Sequence, residues 1–204
     1  MFVARWPLVL LPVQIAFLEL IIDPACSVAF ESEEIDPQIM QWPPRRLNEP
    51  MFTPRVLTIA VLQGLWVFAA VLGVFLWAVL CGRPDDVVRS LTFAALVVGN
   101  LALILVNRSW RLSVWRTFRE RRNPTLMWIV AGAALILVLV LTIPWLRHAF
   151  HFGAISPTDW SIAIAAGLVG VAWFEIYKIV VARRQAQGAL VGCRLPRLTK
   201  SIGR

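Results

Sequence analysis

The sequence predicts an all-α membrane protein, a bundle of about five transmembrane helices. Composition is the first reason: 59% of the 204 residues are hydrophobic and 16% charged, with mean hydropathy +0.72. Soluble domains carry about 45–50% apolar and about 25% charged residues. Length is the second. The apolar residues gather into runs at Pro7–Phe30, Val56–Cys81, Ser90–Val106, Leu126–Leu146 and Trp160–Ala182, each about 17 to 26 residues, enough for a hydrocarbon core about 30 Å thick. In lipid each backbone N–H and C=O must be satisfied inside its own segment, which makes such runs helices.

The third reason is the distribution of Lys and Arg, which separate by side when threaded through five spans. Arg45, Arg46 and Arg55 fall in the first loop, and Arg108, Arg111, Arg116, Arg119, Arg121 and Arg122 in the third. Lys178, Arg183, Arg184, Arg194, Arg197, Lys200 and Arg204 close the chain, and only Arg5, Arg83, Arg89 and Arg147 lie opposite. By the positive-inside rule the crowded side is cytoplasmic, with the N-terminus outside and the C-terminus inside. A multi-pass protein of the cell (plasma) membrane is expected. The net charge of +8 is then a topology signal, with anionic lipid contact as a second use, and no nucleic-acid partner is expected. Met1–Trp6 is too short for a signal peptide, so a further segment is expected to precede the first span.

The first run, PVQIAFLELIIDPACS, holds Glu19 and Asp23 among bilayer residues. An ionised carboxylate at the bilayer centre costs about 2.5 to 3.5 kcal/mol, and the run offers no Lys or Arg to offset it. Four residues apart on a helix, the two carboxylates share a face and converge on one small volume, which suits a cation or a shared proton. Pro24 has no N–H for the carbonyl of Leu20 and crowds it, so that oxygen becomes one more hard ligand. The bland reading places one or both acids near the interface, protonated or hydrogen-bonded to neighbouring helices.

The first loop, Glu31 to Arg55, is acidic and then proline-rich. Pro37, Pro43, Pro44, Pro50 and Pro54 rule out a long helix, while Glu31, Glu33, Glu34 and Asp36 form a solvated face or a cation-attracting mouth. Val56–Cys81 reads as packing, with Gly64 and Gly73 as the small positions for close helix approach. In Ser90–Val106, Asn100 is suited to a hydrogen bond between helices, or to a cation. Trp110, Trp115 and Phe118 among arginines read as interfacial anchors, and Leu126–Leu146, with Trp128 and Trp145 near its ends, as scaffold. His148 and His151 share a helix face but gather no further ligand except Asp159, so a metal site there is not favoured. Glu175 and Lys178, three apart, are expected to pair. Cys26, Cys81 and Cys193 are scattered with no metal or disulfide spacing. Residues 1–184 read as one transmembrane domain and 185–204 as a basic, disordered cytoplasmic tail.

Several landmarks in order resemble the C-terminal membrane part, sixth to tenth helices, of P-type cation-transporting ATPases of the calcium and sodium-potassium pump type. LLPVQIAFLELIIDPA is similar to the sixth helix. DPQIMQWPPRRLNEPMF resembles the loop into the seventh, Asn107, Arg108 and Ser109 the Asn-x-Ser ending the eighth, and DWSIAIAAGLVGVAWFEIYKIVVARR the tenth. The resemblance implies that Glu19 and Asp23 are ligands of the transported cation, calcium or another. Where the family often has Thr and Gly around that Asp, Ile22 and Pro24 stand here, and the eighth-helix segment has no carboxylate. Two carboxylates and the Leu20 carbonyl make a partial site.

The chain carries no Asp-Lys-Thr-Gly-Thr phosphorylation sequence, so no ATP hydrolysis is expected from it alone. No cofactor is expected on this chain, and ATP and Mg would act only through domains outside it. The partners implied are membrane lipid, the cation and the N-terminal remainder of a P-type ATPase, as a truncated product or one piece of a split pump. The alternative is a stand-alone five-span protein with a structural or regulatory role and no transport; a passive channel is a third reading.

Overall fold

Proline punctuates this chain, and the helices start where it falls. In the computed structural model, which describes residues 9–31, 54–107 and 124–194, α1 spans Pro12–Glu31, α2 Pro54–Leu80, α3 Asp85–Asn107, α4 Pro124–Thr142, α5 Pro144–Ala149 and α6 Pro157–Arg194. Each except α3 begins on a proline, and Pro84 directly precedes α3. A helix's first N–H has no intrahelical acceptor, so proline loses nothing there and its fixed φ starts the turn. No strand occurs among the described residues. Within α2, α3, α4 and α6, the stretches Val56–Leu80, Asp85–Asn107, Pro124–Thr142 and Pro157–Lys178 are long and apolar enough to cross a membrane. The protein is an all-α membrane bundle; α1, where the first of five spans was expected, is a helix of 20 residues that is not among those four.

Two boundaries differ from the sequence expectation for identifiable reasons. Leu126–Leu146 is not one helix, because Pro144 cannot donate to Val140 and pushes Ile143 to an extended φ of −74° and ψ of 120°. The chain therefore breaks into α4 and the single turn α5. The last helix runs to Arg194, beyond Gln185 where a disordered tail was expected to begin. The segment QAQGALVGCR is rich in helix formers, and its glycines cost about 1 kcal/mol each without ending a helix. The first proline after it is Pro196.

Two turns close by the same backbone device. After α2, Gly82 takes a φ of +66° and donates to Val79, while Arg83 donates to Ala78. After α5, His151 takes a φ of 55° and donates to His148, while Phe152 donates to Arg147. In both, a left-handed residue satisfies the last helix carbonyls. His151 thus serves the turn through its backbone, and its side chain is exposed.

The bundle is organised around α3. It packs most extensively on α6 and also touches α1, α2 and α4; α2 further packs on α6, and α1 on α4. Phe93, Ala94, Ala95, Val88 and Val97 of α3 are fully buried. Where α2, α3 and α6 cross, glycines set the spacing. A Cβ on Gly167 would stand 2.7 Å from Val98 Cγ1 and 2.9 Å from the Gly99 nitrogen, and one on Gly170 3.3 Å from the Val67 Cα. Gly64 and Gly73, expected to mark close approach, meet nothing within 4 Å. The buried stripe of α2 runs through Ile59, Gln63, Val67, Val71, Val74 and Ala78, at helical spacing that leaves both glycines off it.

Polar clasps fasten the two ends. At one, Arg83 pairs with buried Asp159 at 3.2 Å, and Asp159 accepts from the Ser156 amide at 3.0 Å and hydroxyl at 2.8 Å. At the other, Gln63 donates to Asn107 Oδ1 at 3.0 Å. Nearby, buried Lys178 donates to the Val106 carbonyl, pairs with Glu175 at 3.2 Å and lies over the Phe174 ring. The expected Glu175–Lys178 pair forms.

Candidate functional site

The site helix is α1, which presents one apolar face and one mixed face. Ile21 and Ala25 are buried and Phe17, Leu18, Ile22 and Cys26 half-buried, against α3 and α4. Glu19, Leu20, Asp23, Pro24 and Ser27 are exposed. Glu19 and Asp23 therefore share the uncovered face, about 40° apart around the axis as a four-residue spacing requires. Neither has a hydrogen-bond or ion-pair partner among the described residues, whereas Ser27 below them donates to Glu31 at 3.4 Å.

The helix continues through Pro24, whose missing N–H leaves the Leu20 carbonyl without its intrahelical donor. Leu20 itself is 70% exposed. Two carboxylates and one unpaired carbonyl on a single face are hard oxygen donors with no soft or nitrogen ligand among them. That donor set suits a hard cation. No group of three His, Cys, Asp or Glu that could hold a metal ion occurs among the described residues.

The other candidates lie elsewhere. Asn100 is half-buried on α3 with no hydrogen-bond partner among the described residues. Asn107 is committed to Gln63. His148 is exposed on α5, and Asp159 is committed to Arg83 and Ser156. Glu33, Glu34, Asp36, the first-loop prolines up to Pro50, Arg108, Ser109 and the Trp110–Phe118 anchors lie outside the described residues. A pocket of about 520 Å³ between α2 and α6, lined by Ala70, Trp77, Ile162 and Val169 among others, is apolar and offers no cation ligand.

Sequence reasoning passed over Gln14. It is completely buried, accepts from the Leu11 amide at 2.9 Å and donates to the Phe150 carbonyl at 2.8 Å. Its signal was a lone amide inside an apolar run, which a membrane does not accept without a partner.

The described helices form a helical, multi-pass membrane domain. The chain is a member of the cation transporting ATPase, C-terminus family, whose model matches residues 7–180. It is similar to the calcium-transporting ATPase of Bacillus subtilis (strain 168), 26% identical over 185 residues, which is 88% of this chain and 20% of that protein. It also resembles calcium-transporting ATPase 1 of Lactococcus lactis subsp. lactis (strain IL1403), 23% identical over 82% of this chain and 19% of that protein. A third relative is calcium-transporting ATPase 1 of Yarrowia lipolytica, 24% identical over 72% of this chain and 16% of that protein. The chain spans about one fifth of the length of these curated relatives.

Proposed function

We propose that the chain is the membrane-embedded part of a cation-transporting P-type ATPase, contributing Glu19, Asp23 and the Leu20 carbonyl to an intramembrane site for the transported cation. The observation that carries this reading is the placement of both carboxylates on the face of α1 that α3 and α4 leave uncovered. Charge kept in an apolar segment without a partner costs several kcal/mol, a cost that a bound cation offsets.

Three oxygen groups fall short of the about six to eight oxygens that calcium takes, so the remaining ligands come from helices outside this chain. The length of the relatives supports an N-terminal remainder as the partner. Their names make calcium the first cation to test. ATP and Mg act through that remainder, and this chain alone does not hydrolyse ATP. When phosphorylation there tilts the helices, the oxygens separate, and the ion is bound in one state and released in the other. The crowded basic end faces the cytoplasm of the cell membrane, C-terminus inside, with lipid around the outer faces of the bundle.

The test is ion-dependent stability of the purified chain, alone and joined to the N-terminal remainder of a P-type ATPase. A ligand stabilises only what binds it, by about 2.7 kcal/mol at a hundred times its Kd. Calcium should raise the unfolding midpoint of the joined form, and the double substitution Glu19→Gln, Asp23→Asn should remove that rise. No stabilisation of the joined form by calcium, magnesium, manganese, sodium or potassium would overturn the reading.

A further inference from the structure

Gln14 carries more than its own satisfaction. An amide buried without partners costs about 1–3 kcal/mol, yet here both ends are used. The Leu11 amide donates to Oε1, closing the first turn of α1, and Nε2 donates to the carbonyl of Phe150, far along the chain. That carbonyl belongs to a segment fastened to α3. The Phe150 ring lies 4.5 Å from Phe17 and the Phe152 ring 4.9 Å from Phe93, centre to centre. The Gly153 amide reaches the Ser90 hydroxyl at 2.8 Å and the Asp86 carbonyl at 3.0 Å. A Cβ on Gly153 would stand 2.7 Å from the Val87 nitrogen and 2.8 Å from the Asp86 carboxylate, so the segment seats there with no room to spare.

We infer that Gln14 is a positioning residue that sets the rotation of α1 about its axis, and with it the direction in which Glu19 and Asp23 face. A helix turns about 100° per residue, so Asp23 lies about 180° and Glu19 about 140° around the axis from Gln14. Holding the amide inward holds both carboxylates outward. The other contacts of this face, Phe17, Ile21 and Ala25, are apolar and non-directional, whereas a hydrogen bond weakens steeply as its angle departs from linear. The consequence for ion binding rests on the function proposed above; the rotation of α1 does not.

The experiment reads rotation directly. In a background with Cys26→Ser, Cys81→Ser and Cys193→Ser, a nitroxide is placed on Leu20→Cys or Ile21→Cys, and its accessibility to dissolved oxygen is measured in phosphatidylcholine vesicles. Leu20 is 70% and Ile21 8% exposed, so with native Gln14 the first label should be much the more accessible. Gln14→Met keeps length and volume but loses the amide, and should lower the ratio of the two accessibilities at least about threefold, the population shift of one interhelical hydrogen bond in a membrane. An unchanged ratio in a vesicle-inserted, helical Gln14→Met protein overturns the inference, because Gln14 would then only fill space. Gly153→Ala leaves α1 untouched and displaces the acceptor. It should lower the ratio likewise, and an unchanged ratio there overturns the link through Phe150. Calcium binding by the joined form is measured in parallel. A falling ratio in a protein whose native form binds no calcium upholds this inference and defeats the proposed function, and a falling ratio with weakened calcium binding upholds both.

Discussion

Ser90 of α3 and Glu19 of α1 both interrupt an apolar run, and their surroundings differ completely. Ser90 is fully buried, with its hydroxyl 2.8 Å from the Asp86 carbonyl and 3.1 Å from that of Gly153, and it accepts from the Gly153 amide. Thr92, two residues further, donates to the Val88 carbonyl at 2.8 Å. Glu19 and Asp23 are exposed on a helix covered from one side only. The Ser90 hydroxyl on the central helix is consumed in fastening the bundle, as a low dielectric demands. Glu19 and Asp23 on the peripheral helix have no hydrogen-bond or ion-pair partner among the described residues. The exposed carboxylate pair therefore lies on α1, and the polar fastening to the Gly153 segment on α3.

That contrast is sharpest at the carboxylates themselves. Glu19→Gln with Asp23→Asn should weaken calcium binding by the joined form by about 3–6 kcal/mol, taking about 1.5–3 kcal/mol for each charged partner lost. Radiolabelled calcium retention measures it. Stability of the chain alone should not fall, since no described partner is lost. A loss of fold in this variant would break the comparison by making α1 a scaffold helix too.

Next in size is the α3–α6 crossing. Gly167→Leu forces a side chain against Val98 and the Gly99 backbone and should cost about 3 kcal/mol by overpacking, read as an earlier midpoint in a denaturing-detergent titration. Asp159→Ala comes third. It leaves Arg83 unpaired and removes the acceptor of Ser156. Because the Arg83 side chain is 40% exposed, water compensates it, and the loss should stay near 2 kcal/mol, below the range for a wholly buried pair. The smallest effect is Gln63→Leu, which deletes one bond to Asn107 and should cost about 0.6 kcal/mol, the average for such bonds in membranes. A Gln63→Leu effect as large as that of Gly167→Leu would show that polar clasps, not glycine packing, hold the helices together.

Much of this was legible in the residues. The bilayer requires long apolar helices, so their approximate places follow from hydropathy, and the Glu19–Asp23 spacing follows from 3.6 residues per turn. Pro144 was equally visible, but the unbroken apolarity on either side of it concealed the break between α4 and α5. Gly64 and Gly73 were chosen for size alone, while Gly99, Gly167 and Gly170 carry the close approaches because of which neighbours face them. The run Ser90–Val106 is the shortest of the five by hydropathy, yet α3 begins earlier, at Asp85. Acidic side chains are favourable in the first turn of a helix, and hydropathy does not count them.

The sequence by itself determined that this is a membrane bundle of long helices with two carboxylates on one face of the first. Both properties are local, set by solvent and helical period. The tertiary structure decided which face of α1 that is, and that α3 stands at the centre. Those outcomes depend on partners distant in sequence, such as Gln14 on α1 and the Phe150 carbonyl 136 residues on. Periodicity along a single helix carries no information about which neighbour will meet it.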